Sequence, residues 1–144
     1  PDAAMTRAMM VTILWRMEKE PAALKSNFTD LTADWYRTAV DWAAETGVVN
    51  GVGNGKFAPN ATLSLEQLIT ILYRYAENKG YNVSKSASLD SFTDGSAVSA
   101  YARPAMQWAV GMNFLSGNTL TPGAPASRAQ IAQVLMLFCK AYIK

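Results

Sequence analysis

The apolar positions of the chain fall into helical stripes separated by polar, glycine-rich breaks. Trp35, Ala39, Trp42 and Ala43 recur at i, i+4, i+7 and i+8, the spacing of one helix face. Asp34 or Thr32 is placed to cap the start of that helix, and Gly47 suits the left-handed position just past its end. A second kind of helix is richer in apolar residues: Leu65, Leu68, Ile69, Ile71, Leu72 and Tyr75 crowd the segment after Ser64. Such a helix is wrapped by neighbours rather than laid on a surface. Ser64 and Ser127 each have a glutamine three residues on (Gln67, Gln130), the capping-box pattern that opens a helix. The polar segment from Gly80 to Ser91 reads as a linker, and no stretch alternates strongly enough to predict a strand. The fold class is therefore all-α.

These elements repeat. "FTDLTADWYRTAVDWAAETGVVNG" from Phe28 returns as "FTDGSAVSAYARPAMQWAVGMNFLSG" from Phe92, aligning Trp42-Ala43 with Trp108-Ala109 and Gly51 with Gly117. A second unit occurs three times: "PDAAMTRAMMVTILWRM" from Pro1, "PNATLSLEQLITILYRY" from Pro59 and "PGAPASRAQIAQVLMLF" from Pro122. Periodicity of this kind orders the chain as the second half of one repeat (1–24) and two whole repeats (25–83 and 84–144), together one compact module. The opening helix of the first repeat is expected to be missing. Leu14 and Trp15 would then lose a neighbour and form an exposed apolar patch, to be covered by a partner chain or a dimer.

The glycine cluster "NGVGNGKFAPN", Asn50 to Asn60, resembles a phosphate cradle only at first sight. Counting back five residues from Gly55 reaches Asn50 rather than glycine, and Lys56 is followed by Phe57 rather than Ser or Thr, so the P-loop spacing fails. The dinucleotide spacing fails too, because the third glycine comes one residue early and a helix precedes the loop. Turn chemistry accounts for the cluster.

Composition narrows the chemistry further. The 144 residues carry a net charge of +2 and no histidine, which removes histidine-based triads and histidine metal sites and announces no nucleic-acid partner. The single Cys139 sits in an apolar run and has no partner for an internal disulfide. The longest apolar stretch, Ile131 to Ile143, is broken by Gln133 and Lys140 and is too short to insert across a membrane. Paired carboxylates are the remaining catalytic kit, and nothing among the 11 acids singles out a pair. The chain is read as no enzyme, with neither cofactor nor metal.

The combination of Phe-Thr-Asp, a tryptophan-bearing helix, Gly-x-Gly-x-Gly-x-Phe-x-Pro and Thr-Arg-Ala opening an apolar helix resembles the S-layer homology family. The Ile-Thr-Arg-Ala-Glu motif of that family is similar to Met5-Thr6-Arg7-Ala8-Met9 and Ala126-Ser127-Arg128-Ala129-Gln130, and departs most in Leu63-Ser64-Leu65-Glu66-Gln67. The resemblance implies tandem helix-loop-helix repeats around a pseudo-threefold axis with a central three-helix bundle. It also implies secretion to the bacterial cell surface and anchoring to secondary cell-wall polysaccharide, often pyruvylated, on peptidoglycan. The glycine loop is then the inter-helix turn of a repeat, with the backbone at Gly51 and Gly53 open to a sugar.

Candidate binding residues follow from the residues themselves. Arg7 and Arg128 occupy the first turn of a helix, where a cation costs about 0.3–1 kcal/mol against the macrodipole. Free backbone N–H groups cluster at the same end, so arginine plus those donors make an anion receptor, suited to a pyruvate ketal carboxylate. The structural alternative pairs each arginine with Asp30 or Asp94. Those two acids either accept sugar hydroxyls or cap the turn that follows. Trp35 and Tyr101 are candidates to stack on a pyranose face, whereas Trp42 and Trp108 belong to the core. In the middle repeat Leu65 takes the arginine position and Glu66 follows it, so its receptor is in doubt. A competing function is protein–protein or lattice assembly without glycan binding.

Overall fold

In a computed structural model that describes residues 4–143, the chain is helical, with no strand among the described residues. The helices are α1 (Arg7–Met17), α2 (Asp34–Thr46), α3 (Leu65–Asn78), α4 (Arg103–Gly111) and α5 (Arg128–Tyr142), with short 3₁₀ turns at Gly95–Ala97 and Ala100–Ala102 before α4. Two compact units divide the chain, one spanning Met5–Thr62 and the other running from Leu63 onward and including Ala4. The boundary falls inside a sequence repeat, between its glycine loop and its second helix. Each unit therefore joins the second helix of one repeat to the first half of the next.

In the Met5–Thr62 unit α1 packs on α2. Met10, Val11 and Leu14 of α1 and Tyr36, Ala39, Val40 and Ala43 of α2 are buried. Full burial of one such large side chain stabilises by about 1.5–3 kcal/mol. The face of α2 runs through Tyr36 rather than Trp35, which is 52% exposed. Tyr36 is anchored where its hydroxyl accepts from the Thr32 N–H at 3.0 Å, and this turns Trp35 outward, edge-on to the Tyr36 ring. Neither expected cap forms: Ala33 is the N-cap and makes no side-chain bond, although Asp34 still places a negative charge in the first turn. Gly47 closes the helix at φ 79°, as its position requires. Leu14 is fully buried, against the expectation of an exposed patch there, and the Trp15 indole donates to the Pro21 carbonyl at 2.8 Å. The chain following α1 folds back far enough to bring Pro21 to the Trp15 indole, and α1 packs on α2.

In the second unit α3 packs on α4. Trp108 of α4 lies within 5.4 Å of the Tyr73 ring and 5.3 Å of Phe114, and Phe138 of α5 joins the same aromatic cluster. Ser64 and Ser127 form full capping boxes with Gln67 and Gln130. The polar stretch after Gly80 is pinned at three points: Tyr81 stacks on Tyr142, the Ala87 N–H donates to Gln107, and Leu89 is buried.

Candidate functional site

The same hydrogen-bonded frame is built once in each unit. In the first, the two Asp30 oxygens accept the N–H groups of Phe57 and Ala58 at 2.9 and 2.8 Å. In the second, Asp94 accepts Leu120 and Thr121, both at 2.8 Å. Ala58 and Thr121 hold φ of 59° and 46°, which L-residues seldom adopt, so each carboxylate locks a strained corner before a proline. The corner then presents carbonyls to a helix. Pro59 and Ala61 accept the N–H groups of Ala8 and Arg7 in the first turn of α1, and Pro122 and Ala124 accept those of Glu66 and Leu65 in α3. Thr6 completes α1 by accepting the Met9 N–H at 3.1 Å. The helix N-termini thus have their first-turn donors satisfied by loops, and backbone N–H groups at Arg7 are not left for an anion.

These bonds set the charge of the two aspartates. Burial alone would raise Asp30, but the amides of Phe57, Ala58 and Asp30 itself, with the Lys56 charge, hold its carboxyl below the ordinary range. The amides of Leu120 and Thr121 do the same for Asp94, with partial desolvation opposing.

Arg7 is fixed on this frame. Its Nε donates to the Phe57 carbonyl at 2.9 Å, Nη2 donates to the Asn50 carbonyl at 2.6 Å, and the guanidinium lies 4.7 Å over the Phe57 ring. Burial shifts its pKa downward, and the nearby Asp30 charge opposes that shift. Asp30 nonetheless spends both oxygens on the loop amides, so the arginine and the aspartate grip the loop separately. Nη1 makes no hydrogen bond among the described residues. Beside the clamp the loop from Asn50 to Lys56 is exposed throughout. Gly51 is held against Phe28: a Cβ there would lie 2.5 Å from the Phe28 Cε1 and 2.8 Å from the Lys56 carbonyl. Gly53, at φ 104°, faces open space.

In the second unit the Arg7 position is Leu65, which is buried. Glu66 is buried too, and its carboxylate accepts the Ser99 N–H at 2.9 Å, the Ser99 hydroxyl at 2.6 Å and, weakly, the Tyr101 hydroxyl at 3.4 Å. Burial first, then the Glu66 charge and hydrogen bond, raise the Tyr101 pKa, with Arg74 opposing. The Tyr101 ring remains 53% exposed. Arg128 stands exposed on the first turn of α5. Trp42 and Trp108 are buried, as core residues should be. Arg7, Asp30, Trp35, Gly51 and Gly53 therefore share the first unit, and Asp94, Tyr101 and Arg128 the second. Phe57, both platform and acceptor for Arg7, was missed by sequence reasoning. Its signal was the Phe-x-Pro pattern that the Asp30 carboxylate grips.

A family model described as the S-layer homology domain matches residues 27–69 and 91–132. The chain belongs to that family. Each matched segment contains a Phe-Thr-Asp, a glycine-bearing loop and the start of the following helix. The chain is 30% identical over 142 residues to an endoglucanase of Bacillus sp. (strain KSM-635), covering 94% of this chain and 15% of that protein. It is 30% identical over 141 residues to the surface-layer 125 kDa protein of Lysinibacillus sphaericus, covering 93% and 12%. To the exoglucanase XynX of Acetivibrio thermocellus it is 24% identical over 140 residues, covering 94% and 13%. The chain thus spans between 12% and 15% of the length of these relatives. S-layer homology domains are non-catalytic modules that attach S-layer proteins and surface enzymes to the cell wall, which makes this a cell-surface, cell-wall-associated chain. Among the described residues no helix is long and apolar enough to cross a membrane.

Proposed function

We propose that this module binds a secondary cell-wall polysaccharide on peptidoglycan and recognises its pyruvylated sugars with arginine. The observation that carries this reading is the Arg7 guanidinium. It is held by two loop carbonyls over the Phe57 ring, with Nη1 uncommitted beside an exposed glycine loop. A cation already fixed in this way loses little side-chain entropy when a carboxylate arrives, and the charge-assisted bonds it then makes are worth about 1.5–3 kcal/mol each. The exposed Lys56 adds positive charge to the same loop. Arg128 is the proposed counterpart in the second unit. Trp35 and Tyr101, each more than half exposed where neighbouring aromatics are buried, supply faces for pyranose stacking. Asp30 and Asp94 act indirectly, by fixing the corners on which the loops hang.

Co-sedimentation with purified wall sacculi tests this reading. Binding is expected to sacculi that retain the polymer and to vanish after acid strips it. Retention on stripped sacculi would mean that bare peptidoglycan is the ligand, and self-association without wall binding would favour assembly between proteins instead.

A further inference from the structure

The chain holds two Asn-Gly pairs, Asn50-Gly51 and Asn54-Gly55, and both lie in the exposed loop beside Arg7. Asparagine before glycine is chemically labile. The glycine amide nitrogen can attack the asparagine side-chain carbon, and no Cβ on the glycine stands in the way. At position 51 the packing demands glycine, since a Cβ would lie 2.5 Å from the Phe28 Cε1 and 2.8 Å from the Lys56 carbonyl. The labile pair is therefore built into the loop.

The two pairs differ in what holds them. Asn54 and Gly55, at φ 55° and 72°, form the centre of a tight turn closed by the Lys56 N–H donating to the Gly53 carbonyl at 3.0 Å. The Asn54 carbonyl accepts no hydrogen bond among the described residues. Asn50 lies outside that turn. Its carboxamide and the Gly51 N–H have no partner among the described residues, while its main-chain carbonyl accepts Arg7 Nη2 at 2.6 Å. That bond falls on the reacting amide itself. The attacking species is the Gly51 nitrogen after losing its proton, and its negative charge is shared with the Asn50 carbonyl oxygen. A fixed cation donating to that oxygen stabilises the charged form more than the neutral one, as an oxyanion hole does.

We infer that Asn50 is a site of spontaneous deamidation and that Arg7 promotes the reaction through the Asn50 carbonyl. The Gly51 N–H gives its proton to solvent, and the nitrogen bonds to the Asn50 Cγ. The Cγ–Nδ2 bond breaks, ammonia leaves with a proton from water, and a five-membered imide remains. Water then opens the ring at either carbonyl, giving aspartate or isoaspartate with no change of oxidation state. Either product puts a carboxylate on the residue whose carbonyl touches the guanidinium, and isoaspartate also lengthens the main chain by one carbon there. The new charge competes with an incoming anion for Arg7, so an aged module should release the wall. That last consequence rests on the polysaccharide reading above, whereas the chemistry at Asn50 does not.

The test ages the full chain in neutral buffer and follows the one-dalton gain at each asparagine by peptide mass spectrometry, with Asn54 as the clock within the same loop. Asn50 should convert faster than Asn54 by about fivefold or more. Arg7→Ala should bring the ratio of the two rates towards one, and Arg7→Lys should leave it between the two. Because a loosened loop would change both rates, the ratio separates promotion by Arg7 from lost stability. Asn50 converting no faster than Asn54, or a ratio that stays or rises in Arg7→Ala, would overturn the inference. The aged chain, separated by ion exchange, should bind pyruvylated wall polymer about tenfold more weakly than the fresh chain. If ageing depends on Arg7 but the aged chain binds as the fresh one does, the modification site stands and the anion-receptor reading of Arg7 falls.

Discussion

The Arg7 guanidinium lies 4.7 Å over the ring of Phe57 and donates at 2.9 Å to the carbonyl of that same residue. One residue thus supplies both a π-face and an acceptor. A lysine in this place keeps the charge but loses the planar fork that reaches Phe57 and Asn50 together. Arg7→Ala is expected to destabilise the Met5–Thr62 unit by about 1.5–3 kcal/mol, measured by urea unfolding. Arg7→Lys should recover only part of this, and equal stability of all three proteins would show that the clamp does not hold the loop.

The two corner aspartates make stability depend on acid. Both carboxyls lie below their ordinary value in the folded chain. Their contribution is therefore complete above the unfolded carboxyl pKa of about 4 and is lost as pH falls through the lower folded values. Acid titration followed by circular dichroism should show stability declining below about pH 4. Asp30→Asn combined with Asp94→Asn should be less stable at pH 7 and show a flatter decline. An unchanged slope would mean that other groups govern the acid transition.

Exposed and buried aromatics should separate function from folding. Trp35→Ala and Tyr101→Ala remove side chains that are 52% and 53% exposed, so they should cost little stability while weakening polymer binding several-fold. Trp108→Ala removes a side chain that is 1% exposed and should destabilise by about 3–5 kcal/mol. Thermal melts beside sacculus binding check both halves. Trp35→Ala binding as the parent does would remove stacking from the account.

Gly51 and Gly53 should respond differently to alanine. At Gly51 the new Cβ would collide with the Phe28 ring and the Lys56 carbonyl, so the loop must move. At Gly53 space is open and only the positive φ resists, costing about 1 kcal/mol. Chemical-shift changes in Gly51→Ala should spread to Phe28 and Phe57 and in Gly53→Ala should stay local. Equally local changes in both would contradict the packing described for Phe28.

The repeat and the helices were legible because they rest on local rules. Ser64 with Gln67 and Ser127 with Gln130 carry their own capping geometry in four residues, and Gly47 needs only its place after a helix. The face of α2 was misread by one residue, because the Thr32–Tyr36 hydrogen bond that turns Trp35 outward leaves no trace in hydrophobic spacing. The same limit applied at Arg7. The sequence put a cation beside free helix N–H groups, but long-range bonds from Pro59 and Ala61 satisfy those groups, and the guanidinium is set by carbonyls 43 and 50 residues away. Contacts of that range follow from the folded loop, which glycine spacing alone does not specify.

The most direct measurement is calorimetric titration of the chain, and of Arg7→Ala with its fold verified, with wall polymer before and after removal of pyruvate. The account predicts that losing either the guanidinium or the pyruvate weakens binding on the order of tenfold, and that removing both costs little more than removing one, since they are partners. Parental affinity for Arg7→Ala, or no effect of pyruvate on the unmodified chain, would contradict it and leave Arg7 as a clamp on the glycine loop alone.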